Sequence, residues 1–412
     1  MKRLANLTIL LLGLVYFCAI LKDNLNSPDD LGIRPKGAQL FGAPDPNNFA
    51  FVDTEDTRYI VSDIMKLIKP NTDKTSTTSG IVILGYDNVI YEVLALISYL
   101  KEYSKLEIEF FYADDISPKY MDILKTLDIK IINLASSPLY QKKVSEDRKY
   151  YLKPLAMLST SFENVVYLDS DCFPLLHKED VFTKSFEYLK STDALFFRDY
   201  WMMTPENPIY QYLGISYTLQ RQVDSSVIVY RKSRSMEMLL LSYYICLEKH
   251  FDYYLFGDKD SYWFSAMLLR LYKPEIKPPR ILLNPEMSGF VGTLRCGVGM
   301  LHLLNGDPAF VHLNGFKSRL SKGLPNKKPL FCERTSVYSV IQESTVGFMT
   351  IGKSDDGDMM DDGSQSYSLY DDQGQCVASQ SDGIVTEMDN SVILEKYEKS
   401  FKRLRETCDF NK

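Results

Sequence analysis

From residue 80 onward, short apolar runs alternate with amphipathic ones. Gly80-Ile81-Val82-Ile83-Leu84-Gly85 is a continuous apolar stretch of strand length, the pattern of a strand covered on both faces. Residues 89–103 place apolar side chains at helical spacing and predict an amphipathic helix. Residues 106–112 predict a second strand, 118–127 a helix and 129–134 a third strand. A further helix is predicted over 153–161, leading into Val165-Val166-Tyr167-Leu168, a fourth strand. Strands alternating with helices imply an α/β fold built on a parallel sheet. Two more strands, 194–197 and 226–230, and an apolar helix over 236–249 extend the pattern.

The fourth strand ends in Asp169-Ser170-Asp171. Open α/β sheets bind ligands beyond the carboxyl ends of their strands. In an extended segment residues i and i+2 point the same way, so both carboxylates are expected to face one site. Two convergent anions need a cation between them, and a divalent, oxygen-preferring metal holding a diphosphate meets that need. The plainer alternative is an acidic turn that closes the strand.

Other polar islands follow. Arg198-Asp199-Tyr200-Trp201 continues the apolar stretch Phe196-Phe197, and Asp224-Ser225-Ser226 opens a strand. Gly257-Asp258-Lys259-Asp260-Ser261 precedes a helix, and His312-Leu313-Asn314-Gly315-Phe316-Lys317 follows a short apolar run. Each island has a bland counterpart. Asp199 could be a turn acid, Asp258 and Asp260 could be charges that favour a helix N-terminus, and His312 could be a core histidine. His is scarce, with four in all, which gives His312 weight.

The termini differ in texture. Lys2 and Arg3 precede an uncharged apolar run over 7–21, read as a signal anchor, with residues 1–6 as a cytosolic tail and the rest in the lumen. Residues 22–79 are polar and turn-rich and read as a stem. Residues 80–350 read as the catalytic domain, 351–376 as an acidic mobile insertion, and 377–412 as a C-terminal helical segment with a helix over 392–407. Of seven Cys, six would be luminal, where disulfides are allowed, although some could remain buried thiols. The net charge is −7 and no basic block occurs, which argues against nucleic acid as a partner.

Taken in order, these islands resemble the fungal Golgi mannosyltransferases that extend α-mannose branches on cell-wall mannan. The resemblance runs from about Gly80 to Lys317 and includes Lys153-Pro154-Leu155-Ala156, Tyr167-Leu168-Asp169-Ser170-Asp171 and Arg198-Asp199-Tyr200-Trp201 with Asn207-Pro208. The members that form α-1,2 branches look most similar, and those forming α-1,3 linkages come second. The chain departs from the family pattern at Asp224-Ser225-Ser226, at Arg198 and at Cys172.

The resemblance implies a GT-A-like fold with a mixed, mostly parallel central sheet behind a single membrane anchor. It implies a retaining transferase in the Golgi membrane, using GDP-mannose as donor, Mn2+ (or Mg2+) as metal and an α-mannose-terminated glycan as acceptor, with a transferase complex as a further partner. Asp169, Asp171 and His312 would be the metal ligands. Lys153 and Lys317 would lie near the donor phosphates, with Gly85, Tyr86 and Asn314 also on the donor side. Asp199, Asp224, Asp258 and Asp260 would line the mannose and acceptor side, Asp260 nearest the anomeric carbon. A glycan-binding protein of the same fold, a transferase using another sugar nucleotide, and a phosphotransferase remain alternatives.

Overall fold

The computed structural model describes most of residues 78–312, with breaks at 114–115, 142–148, 176–180, 204–206, 208, 214, 218–220, 248–250, 252–254, 256, 273–278, 285–288 and 294–295, together with three later strands. The anchor at 7–21, the stem up to residue 77, the acidic insertion and the helix read over 392–407 lie outside the described residues. No described helix is long and apolar enough to cross a membrane.

Eight strands form the central sheet: β1 (Ser79–Leu84), β2 (Glu107–Tyr112), β3 (Lys130–Asn133), β4 (Asn164–Leu168), β6 (Ala194–Met203), β7 (Arg221–Arg231), β8 (Ile281–Leu283) and β13 (Phe348–Met349). Their order is β13-β6-β7-β4-β1-β2-β3, with β8 beside β6. Strands β3, β2, β1 and β4 are parallel neighbours. Strand β7 runs antiparallel between β4 and β6. The sheet is therefore mixed and mostly parallel, with the acidic pair following its fourth strand.

The apolar runs read as strands because alternate residues are buried on opposite faces. Val82, Val165, Tyr167 and Ile228 join one core. Ile81, Ile83, Val166, Leu168 and Val229 join the other. The first core is completed by three helices, Leu152–Ser159, Lys232–Leu247 and Ser261–Tyr272, the first and third of which pack against the second. The second core is roofed by the helix Ile90–Tyr103, which buries Ile90, Val93, Leu94, Ile97 and Leu100 at helical spacing.

A second sheet has the order β14-β12-β9-β10-β11-β5. It comprises β5 (Cys172–Pro174), β9 (Gly289–Thr293), β10 (Cys296–Leu304), β11 (Asp307–His312), β12 (Ser336–Ile341) and β14 (Ile384–Met388). Its strands are joined antiparallel. The region 377–412, read as helical, contributes β14 to this sheet. Strand β5 starts one residue after Asp171, so the second sheet grows directly out of the acidic pair.

Two glycines are set by close approach. A Cβ on Gly80 would lie 2.3 Å from the Phe162 ring, and one on Gly85 would lie 2.7 Å from Phe110 and Val93. Gly85, implied on the donor side, thus has a packing role at the exit of β1.

Candidate active site

At the end of β4 the chain turns instead of continuing extended. The Cys172 N–H donates to the Asp169 carbonyl at 3.0 Å, and the Asp169 N–H donates to the Ser226 carbonyl at 2.8 Å. The expected common direction of Asp169 and Asp171 is therefore replaced by a turn, and the two carboxylates engage different partners. The neighbouring strand contributes to this irregularity. One step along β6, from Phe196 to Phe197, corresponds to four along β7, from Ile228 to Asp224. Such a register break re-aims side chains, here those of Asp224, Ser225 and Ser226.

Asp169 belongs to a cationic half of the site. Its carboxylate accepts from the Lys153 ammonium at 2.9 Å and from the Tyr167 hydroxyl at 2.8 Å. Lys153 stands in the first turn of the helix Leu152–Ser159. Its Nζ also lies 2.9 Å from Asp258 Oδ2 and 3.0 Å from Ser225 Oγ. Burial alone would discharge this ammonium, but Asp169 and Asp258 outweigh it and its pKa is raised. Asp258 and Asp260 follow Gly257, whose φ of +73° is the left-handed conformation that glycine tolerates. Lys259 pairs with Asp199 at 2.8 Å.

Asp260 is the outlier in this half. Its Oδ1 accepts from the Val223 N–H at 3.0 Å, while its Oδ2 is buried without a hydrogen-bond partner among the described residues. Burial pushes its pKa up to about 6 against the opposing pull of Lys259 and the Val223 bond, with Asp199 and Asp258 adding to the rise. The Tyr210 hydroxyl is likewise buried without a hydrogen-bond partner among the described residues. Its pKa is raised by burial and then by the charge of Asp260.

Asp171 belongs to an imidazole half. Its Oδ2 lies 3.4 Å from His312 Nε2. His312 ends β11 and stands opposite Cys172 in the β11–β5 ladder, which fixes it beside the acidic turn. Its Nδ1 lies 3.0 Å from Asp224 Oδ2. Burial would lower the His312 pKa, yet Asp224 and Asp171 carry it up to about 10. Asp224 also receives His302 Nε2 at 2.6 Å and both the N–H and the hydroxyl of Ser226 at 2.9 Å. Burial would raise the Asp224 pKa, but the two imidazoles hold it well below the ordinary carboxylate range.

Two carboxylates and an imidazole are the donor types that Mn2+ or Mg2+ accepts. Among the described residues no three such side chains converge as a ready-made cage. Asp171 and His312 meet, whereas Asp169 is engaged by Lys153 and Tyr167. The residues fit a cation that takes few protein ligands and completes its shell with substrate phosphates, a common arrangement for Mg2+. The bond from the far ring nitrogen of His312 to a carboxylate is the usual support of a metal-ligating imidazole.

Of the other expected site residues, Tyr86 lies close enough to Tyr167 to contribute to its raised pKa, after burial and Asp169, and carries the Lys149 ammonium 4.5 Å from its ring centre. Asn314 and Lys317 lie outside the described residues. Cys172 and Cys246 are buried, and the Cys246 thiol donates to the Ser261 hydroxyl at 3.4 Å. His302 and Tyr210 went unnoticed in the sequence. A lone imidazole inside the apolar run Met300-Leu301-His302-Leu303-Leu304 was the available signal for the first.

Residues 78–220 match the family model described as a putative mannosyltransferase. Over that stretch the chain is similar to the mannosyltransferases which that model describes. Among curated relatives, the alpha-1,2-mannosyltransferase MNN2 of Candida albicans is 29% identical over 149 residues, 34% of this chain and 24% of that protein. The MNN2 of Saccharomyces cerevisiae is 32% identical over 77 residues, 19% of this chain and 13% of that protein. The chain thus spans a quarter or less of the length of these relatives. Similar solved structures include the bifunctional glycosyltransferase WbbM, with a TM-score of 0.34 at 13% identity, covering 53% of this chain and 40% of that one. Core-mannan synthase A of Aspergillus fumigatus, in its Mn/GDP form, gives 0.31 at 10% identity, covering 48% of this chain and 72% of that one.

Proposed function

We propose that the chain is a metal-dependent retaining mannosyltransferase that moves mannose from GDP-mannose to an α-mannose-terminated glycan, with α-1,2 linkage favoured over α-1,3. We place it in the Golgi membrane, held by the 7–21 anchor with its catalytic domain in the lumen. The observation that carries the reading is the meeting of Asp171 and His312 beside a buried Lys153 at the carboxyl end of β4, with Lys153 and Asp171 inside the stretch 78–220 that matches the mannosyltransferase model and His312 brought to it from beyond that stretch.

In this reading Asp171 and His312 would hold the divalent cation, with Asp169 beside them and engaged by Lys153 and Tyr167. The bound cation would neutralise charge on the departing diphosphate. Lys153 stays charged between Asp169 and Asp258 and adds positive potential to the phosphate side. The neighbouring Lys259–Asp199 pair and Asp260 are assigned to the sugar side. In a retaining transfer by front-face attack, the leaving phosphate takes the acceptor proton, so no protein base is required. Asp260 Oδ2 is then free to accept a sugar hydroxyl close to the anomeric carbon.

The test uses the full chain in detergent, a panel of sugar nucleotides, α-mannose oligosaccharides, and Mn2+ or EDTA. Transfer from GDP-mannose alone, lost in EDTA, is the expected result, with linkage analysis identifying the bond formed. Transfer from another sugar nucleotide would overturn the donor assignment. Folded protein that binds mannan and turns over no donor would move the chain to the glycan-binding reading.

A further inference from the structure

Asp224 was expected on the sugar side, but its surroundings leave it little capacity for a sugar. A carboxylate offers about four acceptor positions. Asp224 receives four contacts: Oδ2 is saturated by the Ser226 hydroxyl, His302 Nε2 and His312 Nδ1, and Oδ1 accepts from the Ser226 N–H. It is 4% exposed, and His302 behind it is 1% exposed. The His302 ring lies 4.8 Å from the Phe197 ring, centre to centre, in the same core.

We propose that Asp224 and His302 are positioning residues for His312 and do not contact substrate. His302 donates to Asp224 and fixes the carboxylate. Asp224 then accepts from Nδ1 of His312 and holds the ring with Nε2 directed at Asp171. The ring nitrogen nearest the acidic turn is thereby presented to a divalent cation, and the ring cannot flip without breaking a buried charge-assisted bond. Ser226 contributes through both its backbone and its hydroxyl, which connects the device to the register break in β7. The inference rests on the metal-dependent transferase reading, and it assigns residues that support the ligands instead of the ligands themselves.

The test is Mn2+ binding to the full chain in detergent, followed by the EPR signal of the free ion, with the thermal midpoint recorded for every variant. Outer partners of a metal-ligating imidazole are worth roughly 10- to 100-fold in metal affinity. His302→Leu and Asp224→Asn are each expected to weaken Mn2+ binding by about that factor. His302→Gln keeps an N–H donor and is expected to recover most of the affinity. If Asp224→Asn fails to fold, the two His302 variants decide the question. Wild-type protein that binds Mn2+ while His302→Leu binds it equally well would overturn the positioning role and leave the transferase reading standing. Folded wild-type protein that binds no Mn2+ would overturn both. Variants with a lowered midpoint but unchanged affinity would mark the pair as purely structural.

Discussion

Glu109 and Asp260 are both buried carboxylates, 0% and 3% exposed, and their surroundings treat them in opposite ways. Glu109 sits in β2, near the residues that lead into β4. It accepts from Lys130 at 2.6 Å, from the Thr160 hydroxyl at 2.6 Å, and from the N–H and hydroxyl of Ser161. Burial raises its pKa, but Lys130, Ser161 and Thr160 together bring it below the ordinary value. Asp260 lies two residues from Asp258, whose partner Lys153 also binds Asp169 at the end of β4, with one oxygen unpartnered among the described residues and its pKa near 6. A carboxylate whose acceptor positions are filled ties strands and loops together. One left half-satisfied keeps capacity for a ligand, and the fold carries a standing cost for it. The same fourth strand thus joins a stapled end to a poised end.

The largest expected effect breaks the poised end alone. Asp171→Asn removes a proposed metal ligand and should lower transfer by about 10³-fold or more, since the cation supplies several kcal/mol of charge stabilisation. The thermal midpoint should barely move, and a collapse of the midpoint would make Asp171 part of the scaffold.

Next comes Asp260→Asn, which should separate stability from activity. The Asp260 pKa is about 6 in the fold, above the ordinary carboxylate value of 3.8. Between those two values the native chain binds more protons than the unfolded one, so this group lowers stability as pH rises from about 4 to 6. The asparagine keeps an acceptor for the Val223 N–H and abolishes the ionisation. The variant should gain up to about 3 kcal/mol relative to wild type above pH 6 and nothing below pH 4. It should also lose activity. Urea titrations at both pH values check the sign.

Glu109→Gln is the converse and should cost about 2 kcal/mol at neutral pH, because several donors lose a charged acceptor. Stability from an ionised Glu109 is present above pH 4.5 and lost as pH falls through its lowered native value. Transfer per folded molecule should be unchanged, which a single-point assay normalised to folded protein measures. The smallest effect is Tyr167→Phe, which removes one hydrogen bond to Asp169 and should cost about 1 kcal/mol or less, with a modest rise in KM for the donor.

The central sheet was legible because its strands are apolar on both faces and its helices keep a clear period. Segments 80–85, 106–112, 129–134 and 165–168 all correspond to strands, with ends shifted by about one residue. The segment 226–230 is the apolar half of a longer strand, whose other half, from Arg221 to Ser225, is polar and gave no period-2 signal. The second sheet was not foreseen. Its strands are short, with glycines at 289, 292, 297 and 299, and its pairings join distant segments. Composition located the acidic residues around the site but could not say which face each would choose. That depended on the turn after Leu168 and on the register break in β7, neither of which has a one-dimensional signature.

The short ladder between β5 and β11 also bears on biosynthesis. His312 reaches Asp224 across 88 residues of sequence and is aligned with the acidic turn by three rungs, at Cys172, Phe173 and Pro174. Contacts of such long sequence separation form late and slowly. A nascent chain that has emerged only as far as β8 therefore carries the acidic pair and Lys153 but no imidazole beside them. The cluster is completed only when the hairpin of β10 and β11 docks, so a polypeptide released early would lack His302 and His312 beside the acidic residues.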